Sequence, residues 1–308
     1  MIPGMMGLAA TQINVLVNTI LATSQGAGAV SWLNYAFRLM QFPIGIFGVA
    51  LASATLPVVS RQWVAREYDA IGSTLSQSLR QVFAVNLPAA VGLACLGQPI
   101  SQLLFQYGRF TSVDAAATAH ALAAYAVGLG AYSAVKVLVP ACYAMGRTRV
   151  AVISSALSVA FTVAFNLLLI DRWGYVGLAL GTSLSAFMNF FFLLFSVRSA
   201  VRQEGGQFAL LPVFFSVLRS AIASVAMGGV CYLSWVYLEG MIPENLVVEV
   251  AHGPWILPFW RAAKVGVLCL EGVGVVLLLA RILRIQEIVS AMELLKSKIF
   301  KKIARRAG

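Results

Sequence analysis

Eight long apolar segments follow one another along the chain, and they leave room for little besides membrane-spanning helices. A helix needs about 20 predominantly apolar residues to cross the hydrocarbon core of a bilayer. Inside the bilayer every backbone polar group has to be satisfied internally, so isolated apolar segments cross as helices. The segments cover residues 4–24, 30–59, 80–105, 114–143, 149–170, 174–197, 211–238 and 257–283.

The composition agrees with this pattern. Hydrophobic residues make up 60% of the chain and charged residues 11%, whereas soluble domains carry roughly 45–50% and about 25%. The sequence therefore predicts an all-α polytopic membrane protein with about eight transmembrane helices. The formal net charge of +11 would suggest nucleic acid in a soluble chain. In a membrane protein basic loops explain it, and we expect no nucleic-acid partner.

The placement of Lys and Arg predicts the orientation. Alternate polar stretches and the C-terminal segment hold fifteen of these residues, whereas the remaining stretches hold three, Arg109, Arg172 and Arg261. Basic loops stay in the cytoplasm, so both ends of this chain are expected to be cytoplasmic. Residues 285–308 predict a basic amphipathic tail on the anionic leaflet, with a plain basic flank as the alternative.

Arg38 is the most informative polar residue within the predicted spans, since it lies about a third of the way into the second one. An arginine inside the bilayer costs several kcal/mol unless it meets water or a partner. Its planar fork suits phosphate or diphosphate groups. The alternative is an arginine near the interface whose long side chain reaches out to water.

Other polar residues in the spans allow two interpretations each. Lys136 either lines a cavity or bonds carbonyls that Pro140 leaves free, and the second interpretation is favoured. Asn14 and Asn18 are four residues apart and share a helix face, which suits either hydrogen bonds between helices or a polar cavity wall. In the last span, Glu271 is expected to pair with Lys264, two turns away, and Arg261 to lie at the outer interface.

The sequence contains no pattern typical of an enzyme or a metal centre. It lacks a nucleophile-elbow motif, a zinc-protease motif and a glycine-rich phosphate loop. Four widely spaced cysteines, Cys95, Cys142, Cys231 and Cys269, form neither a zinc motif nor a disulfide framework. We therefore expect no catalytic residues, no metal and no cofactor.

Several stretches in the same order resemble the second half of the MurJ (MviN) family, the lipid II flippases of the bacterial inner membrane. Residues 3–200 carry the resemblance well and the last two spans loosely. The matching stretches are Trp32–Arg38, Phe42–Ala50, Thr55–Pro57, Phe105–Thr111, Ala124–Leu129 and Val135–Pro140 followed by Tyr143.

This resemblance implies helices 7–14 of the fourteen-helix fold of the MOP transporter superfamily. Residues 1–205 would form the second six-helix lobe, residues 206–284 two additional helices around a lipid-tail groove, and residues 285–308 the cytoplasmic tail. The first six-helix lobe would be missing. Either the chain is a C-terminal fragment, inactive alone, which is the favoured expectation, or a separate polypeptide supplies that lobe.

The resemblance also implies roles for residues. Arg38 would bind the diphosphate of lipid II in a central cavity, with Asn14, Asn18, Gln41 and Lys136 as cavity or supporting residues. Arg261, Lys264 and Glu271 would lie at the edge of the lipid groove. Some family members carry acids at the positions of Phe37 and Gln41, so ion coupling through such acids is not expected here.

The implied function is alternating-access flipping of lipid II, with lipid II, membrane lipids and the first lobe as partners. Alternatives are another transporter of the superfamily, such as a polysaccharide-lipid flippase or a multidrug exporter, and a non-transporting membrane scaffold. An exporter is expected to use cavity acids, which this chain largely lacks. A polyprenyl-phosphate enzyme is disfavoured because Asp114 and Asp171 are isolated.

Overall fold

The computed structural model describes residues 2–241 and 256–289, with side chains described from Gln12 to Met241 and from Leu257 to Val289. Within these ranges the regular structure is helical throughout. The elements are α1 (Ile2–Thr23), α2 (Ala29–Pro43), a π-helical turn (Ile44–Gly48), α3 (Val49–Val64), α4 (Tyr68–Cys95), α5 (Gly97–Phe105), α6 (Ser112–Ala144), α7 (Thr148–Gln203), α8 (Leu211–Met241) and α9 (Ile256–Ile282).

These elements supply the eight predicted passes. Six continuous stretches of the described chain are long and apolar enough to cross a membrane, and α1 adds a shorter apolar stretch from Gln12 to Thr23. The stretch from Ala29 to Val64 counts once because α2, the π-helical turn and α3 form one pass. The stretch from Thr148 to Gln203 contains two passes, as its internal contacts show.

Helix α7 is an antiparallel hairpin that reverses at Gly174. The φ angle of Gly174 is +56°, a left-handed conformation that glycine adopts without a Cβ penalty. On either side of it the two arms pair: the Thr162 hydroxyl donates to Ser185 Oγ at 2.9 Å, and a Cβ at Gly177 would lie 2.6 Å from the carbonyl oxygen of Leu169. The fifth and sixth predicted spans are these two arms.

The boundary expected between the second and third spans was wrong. The polar stretch 60–79 was expected to connect them, but α3 runs to Val64 and α4 already begins at Tyr68. This part of α4 is amphipathic: Ile71, Leu75 and Leu79 are fully buried, while Asp69, Ser73 and Gln77 are exposed. A helix continues beyond the apolar segment wherever one of its faces can still be buried.

Helix α6 lies at the centre of the bundle and packs on α2, α3, α4, α5 and α7. Small residues let the backbones approach closely. A Cβ at Gly128 would lie 2.8 Å from Cα of Ser183 on α7, so this position admits only glycine without a shift. The Ser183 hydroxyl donates to the carbonyl oxygen of Ala124 at 2.8 Å. Helix α8 packs mainly on α4, and α9 packs on α8 and α5.

The expected amphipathic tail falls almost entirely outside the described residues, which end at Val289. Only its first five residues, 285–289, are described, so the amphipathic tail stays a prediction.

Candidate functional site

One face of α2 carries a continuous line of exposed polar residues, here called the polar stripe: Ser31, Asn34, Arg38 and Gln41. Spacings of three and four residues place all of them on one side of a helix. The opposite side is apolar and buried, through Leu33, Ala36 and Met40. The helix therefore presents a polar face outward and an apolar face to α6.

Arg38 is exposed on this stripe. Among the described residues its guanidinium forms no hydrogen bond and no ion pair. Contact of an arginine with lipid at this depth costs several kcal/mol. Exposure of the stripe fits a surface that faces water or a partner, and an arginine near the interface stays the alternative.

A small crevice of about 50 Å³ opens beside the stripe, between α1 and α2. Asn18 on α1 and Asn34 on α2 line its two sides, and Tyr125 of α6 lines it as well. Asn34 belongs to both the stripe and the crevice. Amides and a phenol thus extend the polar surface from Arg38 into the gap between the two helices.

Asn18 connects three helical segments. Its Nδ2 donates to Thr182 Oγ1 at 3.2 Å, and its Oδ1 accepts from Nδ2 of Asn166. Both partners belong to the α7 hairpin, one on each arm. Asn14, one turn earlier and half-buried, differs, since its Oδ1 has no hydrogen-bond partner among the described residues. Asn18 therefore holds the crevice wall in place, whereas Asn14 leaves an acceptor unused.

Lys136 does not bond the carbonyls near Pro140, so the favoured interpretation was wrong. Its side chain is exposed, and among the described residues it forms no hydrogen bond or ion pair. Lys136 follows Tyr125 by eleven residues, or three helical turns, so the two share one face of α6. Lys136 itself is not among the residues that line the crevice, so its role in a cavity wall stays a prediction.

The predicted pair of Glu271 with Lys264 was also wrong. Lys264 Nζ lies 2.6 Å from Oε2 of Glu239 on α8, and Glu271 instead accepts from the Ser234 hydroxyl at 2.7 Å. Two helical turns rise about 11 Å, which is too far for a direct ion pair within α9. Both partners, Glu239 and Ser234, lie on the neighbouring helix α8. Residue spacings within α9 alone do not reveal them.

Arg261 is buried and contacts the end of α5. Its Nη1 donates to the carbonyl oxygens of Gln102 and Gln106, each at 3.4 Å. Arg261 and Lys264 both point into the protein between α9 and its neighbours, so the polar contacts here connect helices. A role of these residues at a lipid groove stays a prediction.

Sequence reasoning missed three residues of this region: Ser31, Asn34 and Tyr125. A signal for the first two was present, because Ser31 and Asn34 precede Arg38 by seven and four residues and so share its helix face. Tyr125 could not have been found in this way, since only the packing of α6 under α1 and α2 places it at the crevice.

The chemistry of the stripe suits an anion. Arg38 offers a guanidinium fork, and Asn34 and Gln41 offer amide N–H donors on the same face. Within the described ranges, no three His, Cys, Asp or Glu side chains gather closely enough to hold a metal ion. The arrangement can bind and neutralise a phosphate-type group through hydrogen bonds alone.

Comparisons with known proteins identify the family. The family model described as lipid II flippase MurJ matches residues 1–250. The probable lipid II flippase MurJ of Vibrio cholerae is 34% identical over 74% of this chain and 43% of its own length. The lipid II flippase MurJ of Burkholderia cenocepacia is 32% identical over 64% of this chain and 38% of its own length. The chain thus spans less than half the length of these two relatives.

Solved structures show the same fold. A lipid II flippase MurJ in an inward closed conformation superposes with a TM-score of 0.69 and 24% identity, covering 91% of this chain and 52% of that one. An outward-facing multidrug transporter of the MATE family, in the MOP superfamily, gives a TM-score of 0.54 and 17% identity, covering 89% and 62%. The helices described above therefore have the architecture of one portion of these two transporters.

Proposed function

The chain belongs to the MurJ family, and we propose that it supplies the second lobe of a flippase that moves lipid II between the leaflets of the bacterial inner membrane. Relatives with 32–34% identity bear the name lipid II flippase. The observation that carries the proposal for this chain is Arg38, exposed and without a protein partner on the polar stripe of α2.

The proposed mechanism is binding without covalent chemistry. Lipid II carries a diphosphate between its sugar and its polyprenyl tail. Arg38 neutralises part of this charge through two parallel hydrogen bonds, and Asn34 and Gln41 donate further hydrogen bonds. Lys136 adds a second cation, on the face of α6 that also carries Tyr125. Alternate opening of the cavity to either side then moves the headgroup while the tail stays in the bilayer.

The polar stripe needs a cover, and we propose a six-helix lobe as that cover. The relatives are more than twice as long as the part matched here, which is the support for a further lobe. In this arrangement residues 1–205 form one lobe, residues 206–284 two additional helices, and residues 285–308 a cytoplasmic tail. The cavity then lies between the lobes, with Arg38 in its wall.

We propose that the basic loops and both ends of this chain face the cytoplasm. Arg147 and Arg149 lie on this side and Arg109 on the other. Alkaline phosphatase fused within residues 106–111 is expected to be active, because it reaches the periplasm, and a fusion within residues 144–148 to be inactive. The reverse pattern of activity contradicts this orientation.

Complementation tests the role of Arg38. The chain is expressed together with the first six helices of a relative, in cells depleted of their own flippase. Arg38→Ala is expected to abolish growth, and Arg38→Lys to restore it in part, because lysine keeps the charge but loses the fork. Arg149→Ala, an exposed arginine at the basic end of α7, is the matched control and should support normal growth.

Growth of the Arg38→Ala strain at the parental rate contradicts the proposal. Immunoblots of membrane fractions confirm that each variant is present at equal abundance. Lipid II exposed on the outer leaflet, measured with an impermeant probe, distinguishes failed flipping from a later defect in wall synthesis.

A further inference from the structure

A second cationic site lies at the basic end of the bundle, far along the chain from the polar stripe. A cavity of about 250 Å³, here called the basic cavity, opens between α4, the first turns of α8 and the segment that follows α9. Three arginines line it, one from each of these elements: Arg80, Arg219 and Arg284. Three separate parts of the chain thus bring like charges to one place, which is unfavourable unless an anion joins them.

The internal partners leave most of this charge unbalanced. Arg80 Nε lies 3.3 Å from Oε1 of Glu287, whose side chain is 9% exposed. Glu287 is the one acid among the described lining residues, so the cavity keeps a formal excess of two positive charges. Within the described ranges, the guanidinium groups of Arg219 and Arg284 form no hydrogen bond or ion pair.

Two further features of the cavity point to a ligand. Ser216 lines it, and its buried hydroxyl oxygen has no hydrogen-bond partner among the described residues. Arg284 has a φ of +53°, a left-handed conformation that costs a non-glycine residue about 1 kcal/mol or more. It is the second residue after the last residue of α9, Ile282, at the C′ position where glycine is usual, so an arginine side chain is kept here at the expense of strain.

The position of the cavity favours a lipid over a soluble anion. It lies at one end of two membrane-spanning helices, where α8 begins at Leu211 and α9 ends at Ile282. Exposed apolar side chains, Phe214, Phe215 and Leu218, continue from it along the outer face of α8. This arrangement offers cations and a hydroxyl at headgroup depth and an apolar surface for acyl chains beside them.

We propose that the basic cavity binds the phosphodiester headgroup of an anionic glycerophospholipid, with Arg219 and Arg284 on the phosphate oxygens and Ser216 as a further hydrogen-bond donor. The Arg80–Glu287 ion pair fixes the segment after α9 against α4 and so forms the wall of the site. The bound lipid fastens α8 and α9 to the rest of the bundle. This site is separate from the polar stripe and does not depend on flipping.

Native mass spectrometry of the full 308-residue chain in detergent tests the proposal, with phosphatidylglycerol, phosphatidylcholine and inorganic phosphate as probes. The chain is expected to bind phosphatidylglycerol more tightly than phosphatidylcholine. Arg219→Gln combined with Arg284→Gln should weaken phosphatidylglycerol binding about 30-fold, as two basic contacts are lost. Arg219→Lys with Arg284→Lys should retain most of the binding.

The matched control is Arg149→Gln, which removes an exposed arginine from the same end of the bundle and should leave binding unchanged. Circular dichroism checks that each variant keeps its helical content. If the double variant does not fold, Arg219→Gln alone is used, with an expected loss of about fivefold. Unchanged phosphatidylglycerol binding in the folded variant overturns the site, and so does equal binding of phosphatidylcholine by the parent. Displacement of phosphatidylglycerol by millimolar inorganic phosphate overturns the lipid as occupant.

Discussion

Arg38 and Lys264 are both cations within membrane-spanning helices, and the structure treats them in opposite ways. Lys264 on α9 is buried, with its side chain 2% exposed, and it pairs with Glu239 of the neighbouring helix. Arg38 on α2 is exposed, and its guanidinium forms no hydrogen bond or ion pair with any described residue. The first charge is satisfied inside the chain, and the second is left for something outside it.

This difference separates a charge that is paired inside the chain from one that is not. A buried charge with a partner holds two helices in register, and its loss is a matter of stability. An exposed charge in a membrane-spanning helix is tolerated only where water, a ligand or another protein segment contacts it in place of the hydrocarbon. The two regions should therefore respond differently to substitution, and three variants test this from the largest expected effect on stability to the smallest.

Glu239→Gln is expected to destabilise the chain most. It leaves the buried Lys264 ammonium without its anion, and breaking a buried ion pair costs about 3–5 kcal/mol. Because Glu239 is 40% exposed, we expect a loss of about 2 kcal/mol in the free energy of unfolding. Thermal unfolding in detergent measures it. The double variant Glu239→Gln with Lys264→Met should recover most of the loss, and a single variant as stable as the parent contradicts the comparison.

Asn18→Leu is expected to have an intermediate effect of about 1 kcal/mol, the usual scale of a hydrogen bond between membrane helices. The substitution removes the bonds that join α1 to Thr182 and Asn166. Asn14→Leu is the matched control on the same helix, since its Oδ1 is already unpaired. Equal losses for the two variants in the same unfolding assay argue against a special role of Asn18.

Arg38→Met is expected to change the free energy of unfolding by less than about 0.5 kcal/mol, as exposed substitutions usually do. The same variant should abolish complementation, so that stability and function separate at this position. A loss of stability as large as that of Glu239→Gln indicates instead that Arg38 has a structural partner, and the contrast between the two cations then fails.

Much of the fold was predictable because the bilayer restricts it so strongly. Eight apolar segments give eight passes. The reversal at Gly174 directly follows residues 171–173, which separate the fifth and sixth apolar segments. The extent of α4 was not predictable from hydropathy, because its first turns are amphipathic and continue past the apolar segment. Their burial depends on contacts with residues far along the chain, as with the Asp69 side chain, which accepts from the backbone N–H of Gln207 at 2.8 Å.

The sequence by itself determined the membrane class and the number of passes, and it singled out Arg38 as a candidate, because each follows from the cost of polar groups in hydrocarbon. Only the tertiary structure decided which charges are satisfied. Lys264 binds Glu239 and not Glu271, Lys136 is exposed, and three arginines from distant elements line one cavity. Partners in a helical bundle lie across helices and not along them, so their identity depends on packing that no spacing within one span reveals.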